Sequence, residues 1–118
     1  MANVIDYVEI AVDDLEEAKA FFATALGWTF NDYGTDYAGI QDPTRPGQEF
    51  GGLNPHPVTA RGDGVVALAR TDDADASLAS VLAAGGRITE ALADYPGGRR
   101  FLFADPCGNV LGVYEPSE

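Results

Sequence analysis

The sequence predicts an α+β fold made of two successive βαβββ modules. Three observations predict it: an opening strand with two unlike faces, a capped amphipathic helix directly behind it, and a second pass through the same order of elements half a chain later. A shift of 58 residues places Tyr7 on Val65, Asp14 on Asp72 and Gly27 on Gly85, and an internal duplication is the economical reading.

In the first strand, Val8, Ile10 and Val12 alternate onto one face, and Tyr7, Glu9 and Ala11 onto the other. Asp13-Asp14-Leu15-Glu16 then starts a helix, because an Asp oxygen accepts a free amide hydrogen of the first turn. Leu15, Ala18, Phe22, Ala25 and Leu26 form its apolar stripe, which suits the Val8/Ile10/Val12 face, and Gly27 supplies a left-handed stop. Strands are predicted over 28–33, 36–41 and 49–53, parted by Gly34-Thr35 and by a loop rich in Pro and Gly.

Pro55, Pro57 and Gly62 punctuate a connector, and the pattern restarts. A strand is predicted at 65–68, Asp72 or Asp73 caps a second helix with a stripe of Ala74, Leu78, Val81 and Leu82, and Gly85-Gly86 ends it. Strands at 88–92, 99–104 and 110–114 follow, with turns at Tyr95-Pro96-Gly97-Gly98 and 106–109. The division is one domain over 1–118, with module one at 1–54, the connector at 55–63 and module two at 64–118.

Hydrophobic content of 46% and charged content of 22% favour a globular soluble chain over a disordered one. Seven basic residues against 19 acidic ones give a formal charge of −12, which repels phosphate backbones and disfavours nucleic acid, while attracting cationic small molecules. With one cysteine, no signal-peptide pattern and no long apolar run, the expected setting is the cytoplasm, away from a membrane. Cys107 lies in the turn-forming string Asp105-Pro106-Cys107-Gly108-Asn109, and the sole histidine, His56, sits far off between two prolines, so a turn role is expected for it rather than catalysis.

The string Val8-Glu9-Ile10-Ala11-Val12-Asp13-Asp14-Leu15-Glu16-Glu17-Ala18-Lys19-Ala20-Phe21-Phe22 resembles the opening of glyoxalase/bleomycin-resistance/dioxygenase proteins, the vicinal oxygen chelate superfamily. Phe103-Ala104-Asp105-Pro106-Cys107-Gly108-Asn109-Val110-Leu111-Gly112 resembles their closing strand pair. The resemblance implies a curved, mixed β-sheet cup with helices outside, and a homodimer. In metal-dependent relatives, ligands come from the first and fourth strands of each module, commonly two His and two Glu. Carried over residue by residue, those positions fall on Tyr7, Gly52, Val65 and Gly112, and a register shift of three residues would bring Glu49 nearer. Glycine and valine have no donor atom and one neutral phenol cannot hold a divalent ion, so no metal and no cofactor is expected.

Glu9 shares the Tyr7 face, and the resemblance turns that face inward. Among Phe50, Val65, Phe101 and Tyr114, it would act as an anionic anchor for a cationic ligand or as a general base; alternatively it pairs with Arg99 or Arg100. Only one arginine can face the cup, and Arg99 is favoured. Tyr33 and Tyr37 are placed at the rim, Trp28 and Phe30 in the core. The expected ligand-binding set is therefore Tyr7, Glu9, Phe50, Gly52, Val65, Arg99, Phe101, Gly112 and Tyr114. The leading expectation is a metal-free binder of a small cationic or aromatic molecule. The alternatives are a lyase, isomerase or dioxygenase with unusual ligands or with Glu9 as base, and an association module whose open strand edges take a partner.

Overall fold

The computed structural model describes residues 5–55 and 66–117. His56 and Val65, with most of the connector, lie outside the described residues. Two helices lie against two four-stranded mixed sheets, an α+β architecture in which the βαβββ order runs twice. Module one comprises β1 (Val8–Ala11), α1 (Leu15–Leu26), β2 (Phe30–Asp32), β3 (Ala38–Gln41) and β4 (Glu49–Asn54). Module two comprises β5 (Leu68–Arg70), α2 (Ala74–Ala83), β6 (Arg87–Tyr95), β7 (Gly98–Ala104) and β8 (Val110–Pro116).

The sheets run β1-β4-β3-β2 and β5-β8-β7-β6. In each, the first strand lies parallel to the last and the others pair antiparallel, with Glu9 opposite Gly52 and Leu68 opposite Gly112. Both helices begin as their sequences require: the Asp14 carboxylate accepts from the Glu17 amide, and the Asp73 carboxylate from the Ala76 amide. Gly27 and Gly85 close them with φ of 72° and 95°, a region open to glycine at little cost.

The repeat is offset differently at its two ends. Val12 N–H donates to the Asn54 carbonyl, and Thr71 N–H to the Tyr114 carbonyl, so residue 12 matches 71 and the caps match as 14 and 73, an offset of 59. The second helix is shorter, 10 residues against 12, and the glycine stops fall back to an offset of 58. The predicted strand at 65–68 is therefore observed at Leu68–Arg70, and the predicted stripe residue Leu82 is 53% exposed while Val81 is fully buried.

One cluster of buried side chains draws on both modules, among them Val12, Phe22, Ile40, Val81, Phe103 and Val113. Burial of such side chains supplies about 1.5–3 kcal/mol each relative to exposure. Phe21 reaches from α1 to Phe103 of β7, with ring centroids 6.1 Å apart. Polar ties join the modules as well. Asn109 Nδ2 donates to the Ala11 carbonyl at 2.6 Å, and the Asp13 amide to Cys107 Sγ at 3.1 Å. The buried Asp105 carboxylate holds that turn by accepting from the Cys107 and Asn109 amides and from Asn109 Nδ2. No helix among the described residues is long and apolar enough to cross a membrane.

Candidate functional site

Because strand side chains alternate, each sheet has a face turned to the helices and an open face. A row crosses the open face of the first sheet through Glu9, Gly52, Gly39 and Asn31, one residue per strand. The two central glycines leave the floor bare. Tyr37 lies over Gly52 and the Glu49 carboxylate over Gly39, each where a Cβ would stand.

Tyr37 Oη donates to Glu9 Oε2 at 3.1 Å, and Asn54 Nδ2 donates to Glu9 Oε1 at 3.1 Å. The phenols of Tyr7 and Tyr37 lie 2.7 Å apart; since the Tyr37 proton is committed to Glu9, Tyr7 is the donor between them. Glu49 accepts from Tyr33 at 2.6 Å and from Asn31 at 3.0 Å, with Tyr7 a longer neighbour at 3.5 Å. Two carboxylates thus share one face with three tyrosines.

The charges settle accordingly. Burial, then its bonds with Tyr7 and Glu9, push the Tyr37 hydroxyl far above the ordinary phenol range. The bond to Glu49 raises Tyr33, and in return Tyr33 and Asn31 hold the Glu49 carboxyl below its ordinary value. At neutral pH Tyr33 and Tyr37 stay protonated as donors and Glu49 stays anionic.

A family model described as Glyoxalase/Bleomycin resistance protein/Dioxygenase superfamily matches residues 4–113. The chain belongs to that superfamily. Solved structures of similar shape include a family enzyme from Burkholderia phytofirmans, with TM-score 0.77, 16% identity, and coverage of 96% of this chain and 98% of that one. TnmS3, described as an antibiotic binding protein from a Streptomyces species, gives TM-score 0.68 and 27% identity over 98% of each chain. TioX from a Micromonospora species gives TM-score 0.67 and 21% identity over 98% of this chain and 100% of that one. Among curated proteins, none matches the chain.

The superfamily's metal positions do not fit an ion here. The Tyr7 hydroxyl is hydrogen-bonded to Tyr37, Gly52 and Gly112 have no side chain, and Val65 lies outside the described residues. Glu9 and Glu49 come nearest, but no third His, Cys, Asp or Glu among the described residues joins them, and phenols driven upward are poor ligands for a hard cation. No group of three His, Cys, Asp or Glu side chains able to hold a metal comes together among the described residues.

Of the expected binding set, Tyr7, Glu9 and Gly52 meet on the open face of the first sheet. Gly112 and Tyr114 lie on the open face of the second, in a separate hydrogen-bonded array. That second face is apolar around Gly112, where a Cβ would meet Leu68 and Leu102. Three residues lie on the helix side instead. Phe101 is fully buried in the core, and Arg99 shares its face, donating to Asp75 of α2 at 3.2 and 3.3 Å, which raises its pKa. Phe50 packs edge-on to Trp28, with centroids 5.3 Å apart. The favoured inward placement of Arg99 is thus corrected. Arg100, opposite Tyr114, takes the open face, where its guanidinium stands 5.2 Å from the Tyr95 ring. Nor is Glu9 wrapped by rings or paired with Arg99 or Arg100; it is exposed, with Tyr37 and Asn54 as partners among the described residues.

Sequence reasoning put Tyr33 and Tyr37 at a rim and missed that they bond to Glu49 and Glu9. A register irregularity where Ile40 and Gln41 meet Gly51 and Glu49 reverses the alternation, so Glu49 and Gly52, three residues apart, share a face. The signal in the sequence was glycine at 39, 51 and 52 inside strands, which marks close approach of other groups.

Proposed function

We propose that the protein binds a cationic or aromatic small molecule, without a metal, on the carboxylate- and phenol-lined face formed by Tyr7, Glu9, Tyr33, Tyr37 and Glu49. One observation carries the reading: two carboxylates share an open face with phenol rings, and neither forms an ion pair with a Lys or Arg among the described residues. A guest cation would supply the missing charge, and phenol faces attract cations and stack on aromatic rings. The formal charge of −12 draws the same class of molecule. The likeness to a structure described as an antibiotic binding protein, at 27% identity, supports a binding role.

The reading includes a cytoplasmic homodimer. In support, β1 and β5 each have a strand partner on one side only, and Tyr7, Val8, Val66 and Leu68 expose apolar surface along them. A monomeric mass by light scattering at micromolar concentration would contradict the dimer.

The test of binding is a thermal-shift and calorimetric panel of cationic glycopeptides and cationic aromatic compounds near neutral pH. At least one class should raise the unfolding midpoint, and the double substitution Glu9→Gln, Glu49→Gln should weaken it by about tenfold or more. No shift from any cationic compound overturns the reading. The hydrogen bond that ties Glu9 to the Tyr37–Tyr7 phenol pair favours one competing reading, a metal-free isomerase or lyase with Glu9 as base. Turnover abolished by Glu9→Gln in a folded protein would select it.

A further inference from the structure

The geometry points to a second binding site, between the two modules on the helix side of the sheets, for a neutral aromatic molecule with a hydrogen-bonding edge. It goes beyond the open-face reading and uses none of the five side chains named for that face, although Val8 and Leu68 of the exposed strand edges also line it.

A cavity of about 930 Å³ lies there, within the size range of small-molecule sites. Its floor is made of core side chains from both sheets, Ile10 and Ile40 from one and Leu111 and Val113 from the other. Trp28 and Phe50 form one wall with rings 75° apart, and the Trp28 indole is braced from behind by Phe22, stacked at 4.7 Å. The facing wall is a stripe of α2 carrying Asp73, Ala76, Ser77 and Ser80, positions that share one side of a helix.

The repeat explains why space is left. At the offset that aligns the two helix starts, Ser80 is the counterpart of Phe21 and Val81 that of Phe22. Strand register likewise makes Ile40 the counterpart of Phe103, since each lies two residues beyond a partner of an equivalent last-strand position. In one half of the molecule the contact is Phe21 on Phe103, ring against ring. In the other, the counterparts Ser80 and Ile40 both line the cavity, and no ring stands in the place of Phe21.

The lining selects the guest. Ring walls and an aliphatic floor favour a planar apolar body. The Ser80 hydroxyl has no hydrogen-bond partner among the described residues, whereas Ser77 is tied to Thr71 at 2.7 Å, so Ser80 can meet a polar group on the molecule's edge. Asp72 and Asp73 line it together with Arg70, a small net negative charge that favours a neutral guest over an anion.

The experiment titrates the protein with N-phenyl-1-naphthylamine, a neutral aromatic dye, and follows both dye emission and the fluorescence of Trp28, the sole tryptophan. Saturable binding of one dye per chain with quenching of Trp28 is expected. Ser80→Phe, which restores the ring present in the other half, should weaken binding by about tenfold or more. Glu9→Gln with Glu49→Gln should leave it within about twofold. Ser80→Leu makes the same comparison if the phenyl variant does not fold. Absence of saturable binding, an unaffected Trp28, or binding that survives either Ser80 variant but is lost with the two Glu substitutions overturns the proposal. So does a dye signal displaced as the chain self-associates, which would assign the cavity to a second copy. Each of these results leaves the cation response of the open face to be judged separately.

Discussion

Gly51 and Gly52 are neighbours that point to opposite faces, and they should answer the same substitution differently. A Cβ on Gly51 runs into the Val8 backbone carbonyl, which cannot turn aside without parting β1 from β4. Gly51→Ala is expected to cost about 1–3 kcal/mol in chemical denaturation. A Cβ on Gly52 meets only the far end of the Tyr37 ring, which can swing away. Gly52→Ala should therefore keep most of the stability while dislodging Tyr37 from Glu9 and Tyr7, seen as weakened binding of a cationic ligand by calorimetry. Equal loss of stability in both variants would refute this account.

Glu49 adds a pH signature at the same scale. Its folded pKa lies below its ordinary 4.5, so its contribution to stability is present above that pH and is lost as pH falls through the lower folded value. Tyr33 is the largest cause, so Tyr33→Phe should move the Glu49 titration back up, as followed by carboxyl NMR. Asp42, drawn down to about 2 by the Thr44 hydroxyl and Arg45, should respond the same way to Thr44→Ala. The Tyr33–Glu49 bond was not legible in the sequence, because the two residues are joined by strand pairing and a bulge rather than by spacing.

At the scale of elements, helix starts and stops were open to sequence reasoning since their chemistry is local. An Asp accepting an amide three residues on, and a glycine able to take positive φ, need no tertiary partner. Asp14→Ala and Asp73→Ala should each lower stability by about 1 kcal/mol in urea unfolding. A change below about 0.2 kcal/mol in both would show that packing alone fixes the helix starts. Strand faces were less legible. Alternation correctly separated Ile10 from Glu9, yet one irregularity in β4 put Phe50 on the helix side and Glu49 on the open side. Parity is a running count, so one extra residue inverts every assignment beyond it.

For the whole molecule, the join between modules is the feature to test. Asn109 connects the β7–β8 turn to β1 while also holding Asp105, so Asn109→Ala strips a buried carboxylate of its side-chain amide donor and frees the Ala11 carbonyl. The amide bond of residue 109 survives that change, and the expected loss is about 1–3 kcal/mol. Hydrogen exchange should then quicken in β1 and in the β7–β8 turn ahead of the rest of the molecule. Uniform exchange across both modules would mean that the shared core, with the Phe21–Phe103 contact and the Asp13–Cys107 bond, couples them without Asn109.

The sequence by itself determined the α+β class, the doubled βαβββ order, the two capped helices and the superfamily. Each follows from short-range chemistry or from the repeat, and a linear chain carries both. Only the tertiary structure decided that Arg100 rather than Arg99 meets the open face, that Glu49 joins Glu9 among the phenols, and that Ser80, the counterpart of Phe21, lines a cavity. Those outcomes depend on strand register and on which side chain reaches across the module boundary, quantities set by packing of residues far apart in the chain.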